Sequence, residues 1–399
     1  TGDSTDVKIY YTSTSTDNYT LQLDHTSFVR FKNLTVEATS SSYFRVVWLN
    51  EGNEDIAFIN CRITGPSISS TSTTSALFFS NPTSQPSNNI QIRHCRFEKG
   101  SYGVYFVNPY NAYGAGYFIE NCQFTEQYHK NIECRYTRDV FINFNSISQN
   151  ASSSGYGHNI NIDYGAGQLH IKCNDITSLN GGIGIEIDSK TGDTSNVTQI
   201  VNNFVTVTHS SSGSCIPLRL YYSNYVLVAH NSFYAECSYS SNVAVSTHYG
   251  SMLRFTGNSI FNKNTGRAWF NEYSSSANVI HSNHNNIYTL GSSIGFWNKT
   301  ASNLSDWQTI SGQDSNSVSA DPVHTSSTNL HASAVELNGA ADPTTGIMED
   351  FDKEYVNILW VIYEDIMHWN PDKKVKLTND TINIVSNKRV EYYKNKNKN

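Results

Sequence analysis

Short apolar strands separated by polar corners recur along most of this chain. One tripeptide, made of a corner residue, a polar residue and an apolar residue, follows a strand ten times. Its first residues are 23 to 34 positions apart: Leu34, Cys61, Cys95, Cys122, Asn145, Asn174, Asn203, Asn231, Asn258 and Asn285. A fixed period in the twenties with alternating strands is typical of a solenoid. The pattern predicts an all-β fold, a single-stranded right-handed parallel β-helix of about ten or more coils.

The tripeptide has a physical explanation. Its first residue is expected at a corner, where Asn tolerates left-handed backbone angles and can bond the Asn of the next coil. Its third residue is expected to point inward and to stack on its equivalents. Cys61, Cys95 and Cys122 replace Asn in three early repeats, and we expect buried small side chains there rather than disulfides. The remaining cysteines are expected in core or corner positions: Cys134, Cys173, Cys215 and Cys237.

The character of the chain changes near its end. Residues 1–345 carry the β-helix pattern, whereas residues 346–399 form an atypical tail. The apolar stretch Ile358–Tyr363 precedes a Lys/Asn-rich end. We expect one short C-terminal helix followed by a disordered segment.

Composition excludes several classes of protein. The net charge of −7 and the pI of about 6.0 differ from the basic footprint of a nucleic-acid binder. No apolar run approaches the roughly 20 residues that a membrane-spanning helix needs. Seven cysteines without a C-x-x-C pair argue against zinc ribbons.

The best candidate site is a row of outward side chains on the strands that follow each tripeptide. Aligning those strands by their apolar residues places Arg135, Asp163, Glu186, Arg219, Ser246 and Asn271 in that row. The residues predicted to bind ligand are Arg135, Tyr136, Asp163, Tyr164, Glu186, Arg219, Tyr221 and Asn271. Arginines pair with acidic groups, and tyrosines offer flat faces to pyranose rings. The alternative is an alternating-charge ladder that only stabilises the stacked coils.

The same row raises the questions of metal binding and catalysis. Asp163, Glu186 and Asp188 are the oxygen-rich set that would suit Ca²⁺, and no other cofactor is expected. For β-elimination of a uronate, the candidate bases are Arg135, Arg219 and His248. Stacking of Asp163 on Glu186 would also meet the carboxylate spacing of a retaining glycosidase, about 5.5 Å.

Parts of the chain resemble a family. Asn18–Asp24 and Phe31–Val36 look like the opening coils of right-handed β-helix repeat proteins, secreted or surface-attached bacterial proteins of the Bacteroidetes type with a polysaccharide-lyase-like fold. Ala320–Val323, Asn329–His331 and Ser333–Gly339 are similar to the stretch that closes such helices. Asp350–Glu354 matches only faintly the element that should follow, and the family's final segment is absent.

The resemblance implies a secreted or cell-surface protein, and fold alone does not select its activity. The first hypothesis is a module that contacts a polysaccharide, a cell-surface glycan or another surface, as in adhesion. The second is a polysaccharide lyase acting on acidic glycans, or another carbohydrate-active enzyme. The third is a structural stalk or filament subunit that self-associates.

Overall fold

The computed structural model describes residues 6–149, 157–210, 213–239, 242–272 and 279–338, together with positions 340, 345, 347 and 350–352. The chain divides into two compact units, Thr1–Ala341 and Asp342–Asn399. The first unit is a parallel β-solenoid of about ten coils, as the repeat predicts. The helix predicted within Ile358–Tyr363 and the Lys/Asn-rich end lie outside the described residues.

Each coil contributes one strand to each of three sheets, here called A, B and C. Sheet A contains Lys8–Tyr11, Thr35–Ala38, Arg62–Thr64, Arg96–Glu98, Gln123–Thr125, Ser146–Gln149, Asp175–Ser178, Phe204–His209, Ser232–Cys237, Ser259–Asn262 and Asn286–Thr289. Sheet B contains Tyr19–Leu23, Arg45–Leu49, Ala76–Ser80, Tyr102–Val107, Lys130–Arg135, His158–Asp163, Gly182–Asp188, Cys215–Tyr221, Val243–His248, Arg267–Asn271, Gly295–Trp297 and Lys299–Ala301. Sheet C contains Arg30–Lys32, Glu54–Ile59, Asn88–Arg93, Gly114–Glu120, Thr137–Asn143, Ala166–Lys172, Thr198–Val201, Asn224–Ala229, Ser251–Thr256 and Val279–Asn283.

The parallel pattern ends at the last strand of sheet B. Lys299–Ala301 pairs antiparallel with Gly295–Trp297, and the α-helix Leu304–Ser311 follows. Asn303 caps the start of this helix, and Gly312 ends it in the left-handed conformation. The other helical turns among the described residues are the 3-10 segments Thr73–Ser75 and Val335–Leu337. Within the described part of the chain, no helix is both long and apolar enough to cross a membrane.

The third residue of each tripeptide faces the interior, as predicted. These residues stack in register along sheet A and are almost fully buried: Val36, Ile63, Phe97, Phe124, Ile147, Ile176, Val205, Phe233, Ile260 and Ile287. Strands of sheets B and C add their own inward apolar rows to the same core. Because each coil buries its apolar face only against its neighbours, the core is a column that runs the length of the solenoid.

The corner asparagines form the predicted ladder. The Nδ2 of Asn174 donates to the Oδ1 of Asn203 at 2.9 Å, and Asn203 donates to Asn231 at the same distance. Asn145, Asn258 and Asn285 continue this bonding at 3.0 Å in each step. The ladder residues are buried, so each amide replaces water as the partner of backbone groups at the corner.

One detail of the corner was predicted wrongly. The left-handed backbone is adopted by the residue before the ladder position, not by the ladder asparagine itself. These preceding residues all have φ between 51° and 65°: Asn33, Asn60, His94, Asn121, Phe144, Cys173, Asn202, His230, Gly257 and His284. The ladder amide supplies hydrogen bonds to the adjoining backbone, which offsets the cost of that conformation in residues such as Phe144.

The cysteines follow the prediction only in part. Cys61, Cys95 and Cys122 are free and buried, as expected, and Cys134 is a core residue. Cys173 occupies one of the left-handed corner positions. By contrast, two cysteines taken as unpaired core or corner residues, Cys215 and Cys237, form a disulfide across 22 residues.

A hairpin folds back over the outer side of sheet A. His324–Ser326 and Asn329–Ala332 pair antiparallel, and Leu330 is buried against Tyr234 and Phe261. The backbone carbonyl of Ser327 also accepts a hydrogen bond from Thr206 at 2.6 Å. These contacts cover part of sheet A, whereas the predicted surface row lies on sheet B.

Candidate functional site

The outward side chains of sheet B form two parallel rows. Row 1 contains Glu133, Asn161, Glu186, Arg219 and Ser246. Row 2 lies two residues further along each strand and contains Arg135, Asp163, Asp188, Tyr221 and His248. Alternate residues of these strands, such as Ile160 and Ile185, enter the core.

The single row predicted from the sequence is therefore wrong in its register. Ile185, not Ile183, pairs with Ile160, and Ile183 pairs with His158 at the start of the neighbouring strand. Arg135 and Asp163 consequently belong to row 2, while the other outward members belong to row 1. A shift of two residues keeps a side chain on the same face, so these residues remain outward.

Asn271 is a different kind of error. Trp269 pairs with Val245 and fills the inward position that the sequence alignment gave to Ala268 and Phe270. The register is thus displaced by one residue, and Asn271 is fully buried beside Thr247, whose hydroxyl donates to it at 2.9 Å. Asn271 is not available to a ligand on the outer face.

Carboxylates in both rows are already paired with cations. The Nε of Arg135 lies 2.6 Å from Asp163, and the guanidinium also approaches Glu133 at 3.7 Å. Lys130 forms an ion pair with Glu133 as well. The side chain of Glu133 is only 4% exposed, so its charge depends on these neighbours rather than on water.

Glu186 is the centre of a second group. His158 Nδ1 lies 2.6 Å from one of its oxygens, and Arg219 Nε donates to the other at 2.6 Å. Burial of the Glu186 carboxyl opposes its ionisation, but bonding and charge from His158 and Arg219 outweigh burial and lower its pKa to about 2. Glu186 is therefore a fixed anion at neutral pH.

In row 2, one cation, Arg135, is followed by two carboxylates, those of Asp163 and Asp188. Burial raises the pKa of Asp163 above its ordinary value; Arg135 opposes this effect, and Asp188 and Glu133 add to it. Burial works against the charge of Arg135, yet Asp163 and Glu133 raise its pKa overall. Asp163 and Asp188 are in register on adjacent strands, so these two are the stacked carboxylates, and not Asp163 with Glu186.

The three carboxylates named for Ca²⁺ are not gathered at one point. Glu186 is engaged by His158 and Arg219 in row 1, whereas Asp163 and Asp188 lie in row 2. Among the described residues, no group of three or more His, Cys, Asp or Glu side chains has the geometry to hold a metal ion.

The candidate bases are engaged in the same network. Arg135 and Arg219 pair with carboxylates, as described above. His248 Nε2 lies 2.7 Å from the hydroxyl of Ser246, and its Nδ1 contacts Glu272. Proton abstraction needs a base that is both deprotonated and free to reach substrate, and Arg135, whose pKa is raised, is poorly suited to that role.

Tyrosines occupy the corner between sheets B and C. The position immediately after each of five consecutive sheet B strands, from Lys130–Arg135 to Val243–His248, forms what is here called the corner row. It holds Tyr136, Tyr164, Ser189, Tyr222 and Tyr249. All five have left-handed backbones, with φ between 46° and 53°. Tyr136 and Tyr164 stack with ring centroids 5.1 Å apart, and Tyr222 and Tyr249 stack at 4.9 Å.

Of the predicted ligand residues, the structure brings Arg135, Tyr136, Asp163, Tyr164 and Tyr221 to the row 2 edge of sheet B. Glu186 and Arg219 lie beside them in row 1. The sequence analysis missed Glu133, His158 and Asn161 around rows 1 and 2, and Ser189 and Tyr249 in the corner row. A signal for two of them was present, because Glu133 and Asn161 each stand between two inward apolar residues and must therefore face outward.

No family model, curated protein or solved structure matches this chain. Inference about function therefore rests on the side chains of rows 1 and 2 and of the corner row.

Proposed function

We propose that this chain is an extracytoplasmic β-solenoid that binds glycan through the corner row and the adjacent row 2 of sheet B. The observation that carries the proposal is that two stacked tyrosine pairs, in which Tyr164, Tyr222 and Tyr249 are exposed, lie beside ordered carboxylates. Tyr164 and Tyr222 are 45% and 49% exposed. Amphipathic rings present flat apolar faces, and the neighbouring carboxylates accept hydrogen bonds from hydroxyl groups.

Rows 1 and 2 act as a support for this surface. Their ion pairs hold the side chains of Arg135, Asp163 and Glu186 in fixed positions, and a preorganised surface loses less entropy on binding. The same pairing engages the bases that a lyase would need, so it favours binding over elimination. A purely structural stalk would gain about 0.5–1.5 kcal/mol from each stacked pair, but it would not need the outer faces of the rings to be exposed.

Two further features support the location. The disulfide between Cys215 and Cys237 is of a kind that persists in oxidising compartments. The resemblance of the opening coils to secreted or surface-attached bacterial β-helix proteins points the same way. Whole-cell fractionation of the source organism, followed by antibody detection, tests this part of the proposal; recovery only from the cytosol would contradict it.

Binding is tested by titrating the purified chain with a panel of neutral and acidic polysaccharides. The double variants Tyr136→Ala/Tyr164→Ala and Tyr222→Ala/Tyr249→Ala should each weaken binding by about tenfold or more, equivalent to about 1.4 kcal/mol. Tyr11→Ala is the matched control, because Tyr11 is similarly exposed, at 41%, but lies in the first strand of sheet A.

Two results would contradict the proposal. Absence of binding to every polysaccharide in the panel would reject glycan as the ligand. Binding that survives both double variants would reject the corner row. The ultraviolet absorbance of the same mixtures decides the lyase alternative, since elimination creates an unsaturated product, and Arg135→Ala or Arg219→Ala should then abolish its formation.

A further inference from the structure

Ser189 interrupts the corner row at its centre. The backbone there is the same as at its neighbours: the N–H groups of Tyr164, Ser189 and Tyr222 each donate to the carbonyl one coil further on, at 2.9 to 3.0 Å. Ser189 also shares their left-handed φ. The corner row therefore continues in register through Ser189, and only the ring is missing.

The missing ring leaves a gap of defined size. The stacked pairs on either side show that one coil separates ring centroids by 5.1 Å and 4.9 Å. Tyr164 and Tyr222 are two coils apart, so their facing rings are separated by about 10 Å. Stacked rings prefer centroid distances of about 4.5–7 Å. The gap therefore admits one six-membered ring, whereas two would need at least about 13.5 Å.

No aromatic ring in the described part of the chain contacts both Tyr164 and Tyr222. Among the described residues, the only ring that contacts Tyr164 is Tyr136. The ring centroid of Tyr221 lies 4.6 Å from that of Tyr222 and 5.9 Å from that of Tyr249. The Tyr221 ring is therefore beside that pair rather than between Tyr164 and Tyr222. In the loop after Ser189, Gly192 lies against the backbone of Asn224 and the Cβ of Tyr225.

The carboxylates nearest the gap belong to Asp188 and to Asp163, and the latter is also paired with Arg135. The hydroxyl of Ser189 donates to Asp188 Oδ1 at 2.8 Å, and Asp163 is in register with Asp188 one coil away. Lys190 is close in sequence but fully buried, where its ammonium donates to the carbonyls of Gly167 and Thr191. Carboxylates accept bonds from hydroxyls and repel other anions, so a hydroxyl-rich uncharged ring complements this gap best.

From these observations we infer that the gap at Ser189 is a subsite for a single neutral pyranose residue of a glycan chain, held between the faces of Tyr164 and Tyr222. This inference rests on the proposed glycan-binding function and specifies its ligand. It assigns different roles within the corner row: Tyr164 and Tyr222 contact the sugar, whereas Tyr136 and Tyr249 support them from outside.

The decisive variant is Ser189→Tyr, which completes the row and occupies the subsite. Tyrosine already adopts this backbone at Tyr136, Tyr164 and Tyr222, so the variant should fold and melt at the wild-type temperature or above. Its affinity for neutral oligosaccharides should fall at least tenfold. Ser189→Ala, which leaves the gap open, should stay within about threefold of wild type, a difference of about 0.7 kcal/mol.

The probes are matched pairs that differ only at C6: galacto- with galacturono-oligosaccharides and gluco- with glucurono-oligosaccharides. The neutral member of a pair should bind at least tenfold more tightly. Tyr164→Ala and Tyr222→Ala should each weaken that binding more than Tyr136→Ala or Tyr249→Ala, and this comparison remains valid if Ser189→Tyr fails to fold.

The outcomes separate the two proposals. Wild-type affinity in Ser189→Tyr together with weakened binding in Tyr164→Ala would overturn the subsite and leave glycan binding intact. Preference for the acidic member of each pair would overturn the assignment of a neutral sugar. Unchanged binding in Ser189→Tyr, Tyr164→Ala and Tyr222→Ala would overturn both.

Discussion

Asn203 lies in the middle of the asparagine ladder and gives the sharpest test of the architecture. Its Nδ2 donates to the carbonyl of Ile171 at 2.8 Å and to Asn231 Oδ1 at 2.9 Å. Its Oδ1 accepts from the Asn174 backbone N–H at 3.0 Å and from the Asn174 amide at 2.9 Å. The side chain is fully buried, so water cannot replace it. Asn203→Ala removes all of these bonds.

The expected loss follows from the groups left behind. The Asn174 N–H and the Ile171 carbonyl each lose the Asn203 amide as a partner. A buried group without a partner costs about 1–3 kcal/mol, so Asn203→Ala should lower the free energy of unfolding by about 2–6 kcal/mol. Asn111→Ala is the matched control, because Asn111 is exposed in a loop and its truncation should cost less than about 0.5 kcal/mol.

Urea unfolding measures the global effect, and hydrogen exchange of the Asn174 amide measures the local one. The second measurement is needed because repeat proteins need not unfold in a single step. A loss below about 1 kcal/mol, with the Asn174 amide as well protected as in wild type, would refute the reasoning that the ladder amides satisfy buried backbone groups.

Three further predictions concern the ladder, the disulfide and the charged rows. Cys122→Asn should preserve or raise the urea midpoint, because the Cys122 N–H already donates to Asn145 Oδ1 at 2.9 Å and the new amide would extend the ladder; a lowered midpoint would contradict this. Replacing Cys215 and Cys237 by Ser should cost about 3 kcal/mol in urea unfolding, from the entropy of a 22-residue loop, and equal stability under reducing and oxidising conditions would count against the bond. The depressed pKa of Glu186 makes its ionisation stabilising above about pH 4.5, with the contribution lost as pH falls toward about 2. Glu186→Gln should therefore flatten this acid limb in pH-dependent melting, and an unaltered limb would rule out Glu186 as its source.

The fold could be predicted because one requirement repeats in every coil. An amide residue at the corner, then a polar residue and an inward apolar residue, recur often enough to define the repeat length and to predict the asparagine ladder. The finer corner geometry was not predictable in the same way. Phe144, Cys173 and His230 all adopt the left-handed backbone before a ladder asparagine, and these residue types share no signal for it. The neighbouring ladder amide makes the conformation acceptable.

The Cys215–Cys237 pair shows a second limit. The two residues belong to different sheets, Cys215 at the start of a sheet B strand and Cys237 at the end of a sheet A strand. Their approach to a Cα–Cα distance of 6.1 Å depends on how the chain turns between the sheets. A repeat read along one sheet carries no information about that turn.

The outer rows of sheet B show why the face on which a side chain lies is easier to predict than the register between strands. In sheet B the inward positions alternate with outward ones, so an alignment displaced by two residues still assigns each side chain to the correct face. Arg135, Asp163, Glu186 and Arg219 all face away from the core as expected for this reason, although Asp163 and Glu186 are buried and the partners of all four were not predicted. Asn271 failed because Ala268, Trp269 and Phe270 are all apolar, and nothing in the sequence shows which of them enters the core. Where apolar and polar residues alternate strictly, a surface can be predicted from sequence; which side chains of that surface meet depends on strand starts, and these are set by the length of each preceding loop.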